Sequence, residues 1–141
     1  MIKKWFEIIT DHRISLYERM FRLVTGICMI ALVFTMPMGR TLWNILIMVA
    51  YLIAMALIVK FSIQKKCVHT GATIIAILLL TLFPVCFFTA GGFYSGVPEW
   101  FVFCFVYVCI TLQGRRRNAF FVLCTLETLF CYGLAFYHPE L

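Results

Sequence analysis

Glu127 asks for a chemical explanation before any other residue, because it stands alone among apolar neighbours in FFVLCTLETLFCYG, residues 120–133. An ionised carboxylate placed in lipid costs roughly 2.5–3.5 kcal/mol on the insertion values quoted for Asp. The side chain is therefore expected to be neutral or paired, and turned toward other helices. Such a group either hydrogen-bonds between helices or takes part in sensing a ligand or proton. Thr125 and Thr128 offer only local hydroxyls, and no Lys or Arg inside an apolar run supplies a counter-charge.

The second constellation is the run of Gly91, Gly92, Tyr94, Ser95, Gly96, Pro98 and Trp100. The three glycines permit positive φ, Pro98 suits the first turn of a following helix, and Glu99 complements that helix's positive end. Two readings follow, an outer turn with an aromatic interface anchor or a ligand pocket, since irregular backbone at membrane depth must be buried in protein or face water. These residues and Glu127 are the candidates for sensing a ligand or signal.

Other reactive types point away from catalysis. Of seven cysteines, six (Cys28, Cys86, Cys104, Cys109, Cys124 and Cys131) lie in apolar runs and only Cys67 lies in a loop. No CxxC spacing or neighbouring His accompanies them, so packing is expected rather than metal or disulfide chemistry. His12, His69 and His138 fall in three separate flanking segments. No phosphate loop, nucleophile elbow or zinc-protease motif is present. No catalytic residue, metal site or cofactor is expected in this chain.

The elements that must position these groups are transmembrane helices. The 141 residues are 64% hydrophobic and 13% charged, with a mean hydropathy of +1.00, too little polar surface to cover a soluble globule. The hydropathy pattern predicts five spans at about 23–38, 42–59, 70–88, 98–112 and 118–136, preceded by a basic amphipathic segment over 1–22 and followed by a short extracytoplasmic segment over 137–141. Pro84 is expected to kink the third span by freeing the carbonyl of Leu80. The expected fold is an all-α polytopic bundle.

Charge orients it. Lys3, Lys4, Arg13, Arg19, Arg22, Lys60, Lys65, Lys66, Arg115, Arg116 and Arg117 fall on one side of such a bundle, and only Arg40 on the other. Short basic loops stay in the cytoplasm, which places the N-terminus inside and the end of the fifth span outside. The net charge of +6 is thus explained by the membrane, and nucleic acid is not an expected partner.

The run FFTAGGFYSGVPEWF (87–101), the basic turn QGRRR (113–117) and the ending AFYHPEL (135–141) together resemble the N-terminal membrane region of multi-pass sensor histidine kinases from anaerobic Gram-positive bacteria. The similarity covers roughly residues 80–141; the first two spans match only in hydropathy and placement. The resemblance implies a sensor module in the plasma membrane, a sixth span beyond residue 141, and cytoplasmic dimerisation, phosphoacceptor and ATP-binding domains. It further implies a homodimer, a response regulator as downstream partner, and ATP with Mg in the parent kinase domain but not in this chain. Alternatives are a small transporter or substrate-binding membrane subunit, for which Asn44, Glu127 and Pro84 would be the polar features, the input module of a nucleotide cyclase, or a structural subunit.

Overall fold

The structure is a computed structural model that describes residues 14–36, 42–90 and 97–137. These form five helices: α1 (Leu16–Thr35), α2 (Leu42–Gln64), α3 (Val68–Ala90), α4 (Val97–Thr111) and α5 (Gly114–Tyr137), with no strand among the described residues. Three of them, α2, α3 and α5, are long and apolar enough to cross a membrane. Helix α4 is apolar but has 15 residues, whereas α1 has 20 and carries Glu18, Arg19 and Arg22 in its first two turns.

Local chemistry sets the helix ends. Helix α1 opens on a Ser-x-x-Glu signature, and the Ser15 hydroxyl accepts from the Glu18 N–H at 3.3 Å. Glu18 then pairs with Arg22 one turn on. Residues 16–22 are therefore the start of the first helix, where hydropathy had assigned them to a separate amphipathic segment. The cap adds a helix start that a hydropathy window does not register.

The α2–α3 connection is a Schellman turn. The Cys67 N–H reaches the Ser62 carbonyl at 3.0 Å, the Lys66 N–H reaches that of Ile63 at 3.2 Å, and Lys66 adopts φ 52°. Cys67 at once starts α3, its carbonyl accepting from the Thr70 and Gly71 N–H groups, both at 3.1 Å. Between α4 and α5 the left-handed position is taken by Gly114, at φ 60°.

Helix α3 is the centre of the bundle. It packs against each of the other four helices, and its apolar window is 50% buried, against 17% for α2 and for α5. Ala72, Ile75, Ala76, Leu79 and Leu82 recur at helical spacing and are fully enclosed. The outer faces instead present Ile27, Phe34, Leu46, Leu126, Leu129 and Phe130. Exposed apolar surface on this scale matches lipid as the surrounding solvent. Helix α3 stays helical through Pro84, the position of the expected kink. One turn before it the Thr81 hydroxyl bonds back to the carbonyls of Leu78 and Ile77 at 2.9 and 3.3 Å.

One end of the bundle is tightly tied. Phe21 of α1 is fully buried, and a Cβ built on Gly71 would lie 2.0 Å from the Ser62 hydroxyl and 3.6 Å from the Phe21 ring. Tyr17 stacks on His69 with ring centroids 4.1 Å apart and donates to the Thr111 carbonyl at 2.6 Å. These contacts gather the start of α1, the α2–α3 turn and the α4–α5 turn. Every Lys and Arg among the described residues sits at this end: Arg19, Arg22, Lys60, Lys65, Lys66 and Arg115, Arg116 and Arg117.

Candidate functional site

Buried hydroxyls line the contact between α1 and α4. Tyr107 of α4 is fully buried, and its hydroxyl lies 3.4 Å from the equally buried hydroxyl of Thr25 on α1. Thr111, one turn further along α4, turns its hydroxyl onto the Tyr107 carbonyl at 2.7 Å. Tyr17 then closes the line from α1 by donating to the carbonyl of Thr111. Helix spacing puts Tyr107 and Thr111 on one face, and Tyr17, Thr25 and Cys28 follow on the facing side of α1. Since Tyr17 pairs with Thr111 while Thr25 pairs with Tyr107, the two helices run antiparallel. Burial raises the Tyr17 phenol above its ordinary pKa, with the Arg116 guanidinium acting against that shift, so at neutral pH the hydroxyl keeps the proton it donates.

Continuing into the bundle, the Cys104 and Cys124 sulfurs meet across the α4–α5 seam at 3.4 Å. Both residues are buried, at 2% and 1% exposure. Beside them the Phe105 and Phe121 rings cross edge to face at 5.2 Å. Further toward the opposite end, Phe101 approaches Tyr132 at 6.2 Å. The partners 105/121, 104/124 and 101/132 step outward along both helices, the register of an antiparallel hairpin.

Glu127 lies on α5 with Cys124 and Cys131, about one turn from each. Its half-buried position places it at the edge of the seam. Thr125 and Thr128 do not serve it, because their hydroxyls donate to the Phe121 and Cys124 carbonyls at 2.8 and 2.7 Å. This back-bonding to the preceding turn is the common choice of a helical threonine in an apolar setting.

The glycine-run candidates are not brought to Glu127 by anything described. Gly91, Gly92, Tyr94, Ser95 and Gly96 lie outside the described residues, and Pro98 falls in the first turn of α4. Trp100 is half-buried and belongs to an aromatic cluster, with Phe83 at 5.9 Å and Phe103 at 5.4 Å. Asn44 is buried and donates to the Thr89 carbonyl at 3.1 Å, which joins α2 to α3. Among the described residues no group of three or more His, Cys, Asp or Glu could hold a metal ion. His12 and His138 lie outside the described residues.

The α1–α4–α5 seam escaped sequence reasoning for a simple reason: Thr25, Tyr107 and Thr111 are ordinary residues in apolar helices, and only packing shows that they face one another. The Ser15–Glu18 cap was legible, and so was the coincidence of Thr25 and Cys28 on one face of α1. Comparison with known protein families, with characterised proteins and with solved structures found no match.

Proposed function

We propose that this chain is the membrane input module of a sensor histidine kinase, a five-span bundle with its N-terminus inside and the end of α5 outside. The observation that carries the reading is the polar seam, a line of hydroxyl contacts that ties α1 to α4. A signal is transmitted by an element with two arrangements that the ligand distinguishes. The Thr25–Tyr107 contact, at 3.4 Å, is long enough to be exchanged for another partner when α1 shifts. Glu127 at the edge of the neighbouring α4–α5 seam, and the glycine run with Trp100 at the head of α4, are where a ligand would bias that shift.

The basic end supports the orientation. Arg115, Arg116 and Arg117 occupy the first turn of α5, where the helix dipole disfavours cations and where no acidic residue offsets them. Helix stability does not account for their placement. Retention on the cytoplasmic side of a membrane does. The transporter alternative is weakened because Asn44, one of its few polar features, is committed to the Thr89 carbonyl.

Membrane vesicles carrying the parent protein provide the test. The expected results are autophosphorylation from ATP, a basal level altered by Tyr107→Phe at unchanged expression, and labelling of cysteines introduced at 115–117 only from the cytoplasmic face. Absence of phosphotransfer under every condition would remove the kinase, and outside labelling at 115–117 would reverse the topology.

A further inference from the structure

We propose that Cys104 and Cys124 are a redox-active dithiol, oxidised to a disulfide by a quinone dissolved in the lipid. This goes beyond the sensor reading and stands without it.

Geometry comes first. The two sulfurs are already in contact at 3.4 Å, on neighbouring antiparallel helices, and neither is bonded. A disulfide has a length of about 2.04 Å, so closure needs a relative motion of about 1.4 Å, within reach of side-chain rotation and a small helix shift. Depth then selects the oxidant. Cys104 precedes the end of α4 by seven residues and Cys124 follows the start of α5 by ten. The helical rise puts the pair roughly 10–15 Å from the α4–α5 turn, beyond water-soluble thiol reagents. A reagent that arrives through lipid must itself be apolar and accept two electrons.

The surface next to the thiols is aromatic. Phe121 is 45% exposed on the outer side of the hairpin, crosses Phe105, and lies one turn from Cys124. A quinone stacked there meets aromatic faces on both helices. Glu127, one turn beyond Cys124, supplies the proton path. In its neutral form it gives a proton to one quinone oxygen and regains one from the Cys124 thiol. When the α4–α5 seam opens enough to uncover the Cys124 sulfur, which is buried in the closed pair, the resulting thiolate, the reactive form of cysteine, adds to the quinone ring. The Cys104 sulfur then attacks the Cys124 sulfur. The S–S bond forms, the sulfur–ring bond breaks with its electron pair left on the ring, and the Cys104 proton passes to the second oxygen. Overall, two thiols and one quinone give one disulfide and one hydroquinone, with two electrons and two protons transferred.

The test uses residues 1–141 in lipid nanodiscs, fully reduced, with a ring-substituted alkyl benzoquinone as the oxidant. Expected are one hydroquinone released per chain, a peptide map joining Cys104 to Cys124, and recovery of both thiols with an apolar phosphine. Cys104→Ser and Cys124→Ser each abolish the reaction, Cys67→Ser, in the α2–α3 turn, leaves it intact, and Glu127→Gln slows it on the order of 100-fold. A chain that keeps all seven thiols under the quinone, a disulfide that persists in Cys104→Ser, or equally fast oxidation by an aqueous peroxide would overturn the proposal. An unchanged rate in Glu127→Gln would overturn the proton path.

Discussion

The α2–α3 and α4–α5 hairpins are both antiparallel pairs closed by a turn of only a few residues, yet they carry different chemistry. The first is held by close approach: Gly71 lies so near Ser62 that no side chain fits between them, and its turn satisfies its own helix-end carbonyls. Of its interior polar groups, Asn44 joins the two helices by a hydrogen bond and Ser62 lies against Gly71. The second hairpin encloses Tyr107, two touching thiols and, at its edge, Glu127. Helix α3 makes this division possible because it packs on every other helix. With one pair locked to the centre, the other can hold reactive and exchangeable groups without loss of the fold.

The largest expected effect lies in the locked pair. Gly71→Val drives a branched side chain into the Ser62 side chain and should destabilise the bundle by about 3 kcal/mol. Thermal unfolding in detergent would measure it, and the further change Ser62→Gly should restore part of the loss. Equal stability of Gly71→Val and the unaltered protein would erase the contrast between the hairpins.

A smaller effect is expected in the second hairpin. Glu127→Gln keeps hydrogen-bonding capacity at the seam edge and should preserve insertion and stability, whereas Glu127→Lys should cost about 2 kcal/mol by placing an ammonium at mid-helix depth. The same unfolding assay, with membrane insertion measured in parallel, separates the two variants. If Lys were tolerated as well as Gln, Glu127 would face water and not the seam.

Tyr17 sharpens the comparison because it touches both hairpins, through the His69 ring on one side and the Thr111 carbonyl on the other. Tyr17→Phe retains the stack and removes only the hydrogen bond, for an expected loss of about 1 kcal/mol. Cross-linking between cysteines introduced on α1 and α4 should rise in its spread of reactive positions if this bond holds α1 in register. An unchanged pattern would assign the register to Phe21 and the ring stack alone.

Much of the architecture follows from one-dimensional pattern. Apolar run length marks the helices, and the clustering of Lys and Arg in alternate loops anticipates that all the described cations gather at one end. Helix α1 runs on from the amphipathic segment into the apolar run without interruption, because the serine cap starts it at Leu16.

The amino-acid sequence by itself determined that this chain forms apolar helices, where their basic ends lie, and that Glu127 sits at mid-helix, since each depends on residue type and order along a single chain. Only the tertiary structure decided that Thr25 meets Tyr107, that Cys104 touches Cys124, and that Trp100 joins an aromatic cluster. Such pairings depend on rotation and register between helices that are apolar all round. A helix without a polar face gives no one-dimensional sign of which side it will bury.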